Sequence, residues 1–317
     1  VRKPALILII LLAAALRIVG LDQAPPNLSW DEVSLGYNSW SILKTGADEY
    51  GTRLPFLFRA FDEYKLPGYI YTAVPFELIF GLNEWGVRLP SAVFGTLTVL
   101  IIYYLSHEFF PQQKNIALYS ALLLAINPWH INFSRGAFET CLSLFFLAAG
   151  FLYLLWSIKR PRFLVIAALF LVFACSTYYT ARIVTLPILV TFLITFRQKI
   201  FSPLMRTWFI IALIAGIIFS FPLVKTYFSK SGLARTNQVS IFVHDRSLAQ
   251  EYSLELLRKE NSLLPRLVYN RRIADFLKFS DNYLRSFSPD FLFINGAGAT
   301  GLFYLWQVIT LIIGFKA

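Results

Sequence analysis

The 317 residues are 57% hydrophobic, 17% aromatic and only 15% charged, with a mean hydropathy of +0.59. That composition excludes a soluble globular domain and makes the bilayer the chain's solvent. A formal net charge of +11 would suit nucleic acid. The basic residues are scattered between apolar runs, however, so anionic lipid or a phosphate-bearing substrate is the expected partner and nucleic acid is not.

In chain order, apolar runs at 4–20, 87–106, 114–128, 137–157, 163–177, 182–197, 207–224 and 301–315 predict an all-α polytopic membrane protein of about eight spans. The first run follows Arg2 and Lys3 and lacks a small-residue cleavage site, so it reads as a retained helix rather than a signal peptide. Cys141 and Cys175 lie inside apolar runs and are expected as packed thiols. The stretch 67–81 is short, carries Glu77 and is interrupted by Pro75. If it does not cross, Arg2, Lys3, Lys114, Lys159, Arg160, Arg162, Lys199 and Arg206 share one face with Glu108 as its only acid. The positive-inside rule makes that face cytoplasmic and 67–81 an interfacial helix. The N-terminus is then cytoplasmic, and the loops 21–86, 128–136, 178–182 and 225–300 face outward, the last with amphipathic helices expected around Leu248 to Lys259 and Leu267 to Leu284.

The outer loops carry the motifs. In "SWDE", Ser29 and Glu32 form a capping box, and Val33, Gly36, Tyr37, Trp40 and Leu43 line one face of the helix that follows. One box needs one acid, which leaves Asp31 as a candidate catalytic carboxylate. In "FDEYKLPGYIY", Lys65 sits at headgroup depth, either pairing with a lipid phosphate or snorkelling among Tyr64, Tyr69 and Tyr71. Asp62 and Glu63 are candidate ligands of a divalent cation, or solvated loop acids. Arg88, at the mouth of a span, reads as an anchor. "NPWHINFSRGAFET" brings His130, Arg135 and Glu139 between two spans; Arg135 is spaced to pair with Glu139 or to hold an anion bidentately. Arg182 closes another tight outer loop, as an anchor or a phosphate ligand. Lys65, Arg135 and Arg182 thus place cations at one depth near Asp31, as transfer from a phosphate-activated lipid requires. A glycine-rich phosphate loop or dinucleotide fingerprint is absent.

"LSWDEVSLGYNSWSILKTGADEYGTRLP", "YKLPGYIYTAV", "FGLNEWGVRLPSAVFGTLTVL" and "INPWHINFSRGAFE" together resemble bacterial membrane glycosyltransferases of the C-type fold, relatives of the protein O-mannosyltransferases and the lipid A aminoarabinose transferases. The resemblance is strongest over 28–140. It implies a polyprenyl-phosphate sugar donor used on the extracytoplasmic side of the plasma (inner) membrane. It implies Asp31 as base or acceptor-orienting group, Lys65 and Arg135 on the lipid phosphate, and Glu32, Tyr64, Arg88, His130 and Glu139 in support. It also brings a divalent cation (Mg, Mn or Zn) into question. The aminoarabinose branch has an acid immediately before its lysine; this chain has Tyr64 there, with Glu63 one further back, and only His244 answers to the histidine of the large outer loop. Residues 1–317 read as one transmembrane domain, with 21–86 and 225–300 as its large outer loops, and as a fragment or a short member because relatives continue with further spans. A flippase of lipid-linked sugars and a lipid-linked glycan ligase or polymerase are the alternatives. A flippase would need charges along a path through the bilayer, whereas here they gather on one face.

Overall fold

A computed structural model describes residues 3–61, 63–200, 202–227, 271–296, 301–308, 310 and 314. The chain divides into two compact units, 1–226 and 227–317.

In the first unit, α1 (Lys3–Ile18) leads through a loop to α2 (Trp30–Thr45), a hairpin of β1 (Phe58–Ala60) and β2 (Glu63–Lys65), and α3 (Pro67–Phe80). Then come α4 (Glu84–Phe109), α5 (Lys114–Ala125), α6 (Pro128–Arg135), α7 (Glu139–Ser157), α8 (Phe163–Thr177), α9 (Tyr179–Ile200) and α10 (Pro203–Tyr227). Among the described residues four helices, α4, α7, α9 and α10, are long and apolar enough to cross a membrane, or five spans if α5 and α6 count as one. That pair is bent by 55°. Its break has a local cause: Asn127 caps the His130 N–H and Pro128 opens the new helix, where a proline needs no donor. The runs at 4–20 and 163–177 form helices of 16 and 15 residues. Of the run 301–315, residues 309, 311–313 and 315 lie outside the described residues, as do His244 and the helix expected around Leu248 to Lys259.

The capping box of α2 forms in full: the Ser29 N–H donates to Glu32 Oε2 at 2.8 Å and the Glu32 N–H to Ser29 Oγ at 3.3 Å. The helix ends at Gly46 in the left-handed region, φ 70°. Its polar and small residues Glu32, Ser34, Gly36, Asn38 and Ser39 turn inward, while Trp30, Val33 and Tyr37 are exposed. Gly36 therefore does not share the face of Val33 and Tyr37. A Cβ there would lie 2.5 Å from Val87, so the glycine lets α2 settle on α4. Leu35, Ile42, Phe58, Tyr69, Ile70, Ala73, Val87, Ala137 and Leu142 close a core that ties α2, the hairpin and α3 to α4 and α7. A Cβ on Gly68 would meet the Thr177 backbone at 2.8 Å, and this close approach sets the first turn of α3 against the end of α8.

Glu77 of α3 is fully buried against α2 and α4. Burial pushes its carboxyl up to about 7, with Ser39 pulling slightly the other way. Its folded value lies above the unfolded one, so the folded state holds the extra proton between pH 4.5 and 7 and stability falls as pH rises through that window. Glu77→Gln is expected to abolish this slope, a difference of about 3 kcal/mol between the ends of the window. Denaturation of both proteins at pH 5 and pH 8 measures it; equal slopes would show that the carboxyl ionises freely.

The second unit contains α11 (Arg271–Arg285), which overlaps the helix expected around Leu267 to Leu284, and a π-helical turn at Phe291–Asn295. An Arg285–Asp281 ion pair at 2.8 Å supports the last turn of α11.

Candidate active site

The first turn of α2 points its two acids in different directions, because consecutive helical residues are separated by about 100° of rotation. Asp31 faces outward, with 62% of its side chain exposed, and its Oδ1 accepts a 2.7 Å hydrogen bond from Lys65 Nζ. Lys65 ends β2, and the hairpin register sets Phe58 opposite it. Phe58 and Ala60 are buried, so β1 is anchored by its inner face and holds β2 in place. Lys65 is not a snorkelling lysine: it is buried and its Nζ is also paired with Glu63 at 2.5 Å. Tyr69 and Tyr71 are committed elsewhere, donating to the Val87 and Pro55 carbonyls. Burial alone would lower the Lys65 pKa, but Glu139, Asp31 and Glu63 outweigh it and hold the ammonium above the ordinary lysine range.

Tyr64 lies between the two charged residues of β2, and its carbonyl accepts from Tyr179 Oη at 3.3 Å. The Tyr179 ring carries the Arg182 guanidinium 4.9 Å from its centroid. Arg182 also donates from Nε to the Cys175 carbonyl at 3.2 Å, which fixes it at the turn between α8 and α9. The structure thus joins Asp31, Lys65, Glu63, Tyr64, Tyr179 and Arg182 in one chain of contacts, with Glu139 acting on Lys65 by its charge.

Glu32 has a larger role than its box. It receives Arg88 Nε at 2.7 Å and Nη2 at 3.2 Å, and the Ala137 N–H at 3.0 Å. Burial alone would raise its pKa, but these donors and the Ser29 N–H hold it below the ordinary carboxylate range. Arg88 is not an interfacial anchor. It is wholly buried and also donates to the Leu21, Pro25 and Asn27 carbonyls, stitching the loop before α2 onto α4.

All three nitrogens of the Arg135 guanidinium donate to backbone carbonyls, those of Leu16, Val19, Gly20 and Ala24. The arginine satisfies the C-terminal end of α1, where a helix leaves carbonyls unpaired and favours a cation. Its geometry therefore sets it apart from the Asp31–Lys65 pair. His130 is buried, and its Nδ1 lies 2.9 Å from Arg17 Nη2. Arg17 ends an apolar helix and gives the sequence no signal of its role, yet it is fully buried. It donates to the Ala13, Leu124 and Ala125 carbonyls, the latter two at the end of α5 beside its break from α6.

Among the described residues, the His, Cys, Asp and Glu side chains make no group of three able to hold a metal. Glu63 is already neutralised by Lys65, and Asp62 lies outside the described residues. The described donor set does not fit a metal cage. Both cysteines are free thiols.

Residues 65–224, about half of the chain, match the family model described as dolichyl-phosphate-mannose-protein mannosyltransferase. No curated protein matches the sequence. In fold, the chain is similar to ArnT from Cupriavidus metallidurans bound to undecaprenyl phosphate, with a TM-score of 0.55, 17% identity, and coverage of 77% of this chain and 45% of that one. It is also similar to the oligosaccharyltransferase of Archaeoglobus fulgidus in complex with Zn and sulfate, with a TM-score of 0.56 and 14% identity over 98% of this chain and 43% of that one. The chain therefore spans less than half the length of either structure.

Proposed function

We propose, because the chain belongs to the dolichyl-phosphate-mannose-protein mannosyltransferase family, that it acts as an integral-membrane glycosyltransferase of the C-type fold. It moves one monosaccharide from a polyprenyl-phosphate carrier to a protein, lipid or glycan acceptor on the extracytoplasmic face. The Asp31–Lys65 pair carries this reading. A solvent-open carboxylate and a buried ammonium, 2.7 Å apart, are the acid–base and phosphate-binding halves of such a site.

The lipid phosphate competes with Asp31 for Lys65 and, on arrival, frees the carboxylate. Asp31 then takes the proton of the acceptor hydroxyl, whose oxygen bonds to the anomeric carbon. The bond from that carbon to the phosphate oxygen breaks, and its electron pair leaves on the phosphate, where Lys65 and Arg182 stabilise the new charge. Arg135 is omitted from this role because its donors are occupied by carbonyls. The Zn of the related oligosaccharyltransferase belongs to that protein, and no step here passes through a metal. A cavity of about 420 Å³ lined by apolar residues of α7, α8, α9 and α10 suits isoprene units of the carrier. The outward apolar residues of α2, together with Leu78, Ile79 and Phe80 of α3, support an interfacial position for both helices.

One displacement inverts the anomeric carbon. The test is transfer from polyprenyl-phosphate mannose by the reconstituted protein, with the product's anomeric configuration read by NMR. Inversion is the expected result; retention would overturn the mechanism, and failure to bind any polyprenyl-phosphate sugar would overturn the reading.

A further inference from the structure

The end of α4, the end of α7, the turn after it and the start of α8 enclose a cavity of about 280 Å³, lined by Glu108, Trp156, Lys159, Arg160 and Phe163. Along α4, a rise of about 1.5 Å per residue carries Glu108 roughly 30 Å from Arg88, the thickness of a bilayer's hydrocarbon core. Arg88 clasps Glu32 beside Asp31, so the cavity sits at headgroup depth in the opposite leaflet.

A tight turn places its cations. The N–H groups of Lys159 and Arg160 donate to the Trp156 carbonyl at 3.1 and 3.0 Å, and the Phe163 N–H donates to the Arg160 carbonyl at 3.0 Å across Pro161. The turn sets the Trp156 and Phe163 rings 6.0 Å apart, and Tyr153 packs on both, at 5.2 and 5.5 Å. An aromatic floor thus lies beneath two exposed basic side chains.

Glu108 is already satisfied: its Oε1 accepts from Trp156 Nε1 at 3.0 Å and its Oε2 from Lys159 Nζ at 2.8 Å. Acid and lysine cancel. The Arg160 guanidinium has no hydrogen bond or ion pair among the described residues. One open cation suits an anion of one charge, and its planar fork matches two oxygens of a phosphate diester. A zwitterionic headgroup would bring an ammonium too, and the acid it needs is taken by Lys159.

The surroundings favour a lipid over a soluble anion. Tyr104, edge-on to Trp156 at 5.8 Å, and Phe109, next to Glu108, remain 39% and 55% exposed. Acyl chains would cover these rings, whereas a free anion gains nothing from them. The volume is just below the roughly 300–1,000 Å³ of sites for drug-sized ligands, room for a headgroup with its chains outside.

We propose that this cavity binds the phosphodiester headgroup of one anionic lipid in the leaflet opposite the Asp31–Lys65 pair, with Arg160 on the phosphate and Trp156 and Phe163 as the floor. The site stands independently of the glycosyl-transfer reading. The test is native mass spectrometry of the delipidated 317-residue chain, titrated with phosphatidylglycerol or phosphatidylethanolamine. Phosphatidylglycerol is expected to bind first, as a single molecule. Arg160→Gln is expected to weaken it about three- to tenfold, and Arg160→Lys, which keeps the charge and loses the fork, by less. Lys199→Gln changes an exposed cation in the last turn of α9, outside the cavity, and is expected to leave the affinity unchanged. Since Arg160 supports nothing in the fold, Arg160→Gln should melt like the wild type without lipid. Excess inorganic phosphate is expected to leave the bound lipid in place.

Equal phosphatidylglycerol affinity in wild type and Arg160→Gln would overturn the proposal, as would equal binding of phosphatidylethanolamine. Equal weakening by Lys199→Gln would overturn it in favour of a diffuse positive surface. Displacement by inorganic phosphate would assign the cavity to a soluble anion and overturn the lipid.

Discussion

Asp31→Asn is expected to lower transfer by about 10²–10⁴-fold, the range that loss of a general base commands. Asparagine keeps the size of the side chain and can still accept a hydrogen bond from Lys65, but it takes no proton. Donor affinity is expected to hold or to tighten slightly, since Lys65 no longer has an anionic competitor for the phosphate. The variant should also melt like the wild type, because a pair whose acid is mostly exposed contributes only about 0–1 kcal/mol to stability. Initial rates, donor binding and melting on one preparation separate these quantities. Near-normal turnover would remove Asp31 from the chemistry.

Arg88→Met is expected to produce the opposite pattern, a loss of stability of about 3–5 kcal/mol, because it leaves Glu32 charged and buried without its fork. Three loop carbonyls lose their donor at the same time. Arg88→Met combined with Glu32→Gln should recover part of the loss, since the neutral amide tolerates burial better than an orphaned carboxylate. Melting of the two variants against the wild type decides this. Equal melting of all three would show that the pair is an ornament of the loop rather than its clasp.

Four of the eight apolar runs were legible as membrane-length helices, α4, α7, α9 and α10, because long apolar runs have few other meanings, whereas those at 4–20 and 163–177 form shorter helices and that at 114–128 is broken. The capping box was legible because both of its partners lie within four residues. The arginines were not legible. At the mouth of a span, a guanidinium reads the same whether it meets a phosphate, an anchor position or a distant carbonyl. Only tertiary structure shows that Arg88 reaches Glu32 and that Arg135 reaches Leu16 to Ala24. Arg17 was lost for a related reason: its partners are carbonyls, which leave no trace in the sequence. On α2 the pattern places Val33 and Tyr37 on one face, and both are exposed, but Gly36 departs from that face and packs inward with Leu35, Ser39 and Ile42, because its lack of a Cβ matters to Val87, a partner far away in sequence.

The two arginine clasps on the loop before α2 also impose an order on biogenesis. Arg88 holds the Asn27 carbonyl across 61 residues of chain, and Arg135 holds Ala24 across 111. At about 5–20 residues per second, the second clasp is made roughly 5–20 s after the loop leaves the ribosome. Until then the acids of α2 are present but unplaced. A nascent chain halted before α4 would contain every atom of Asp31 and Lys65 without the frame that sets one against the other.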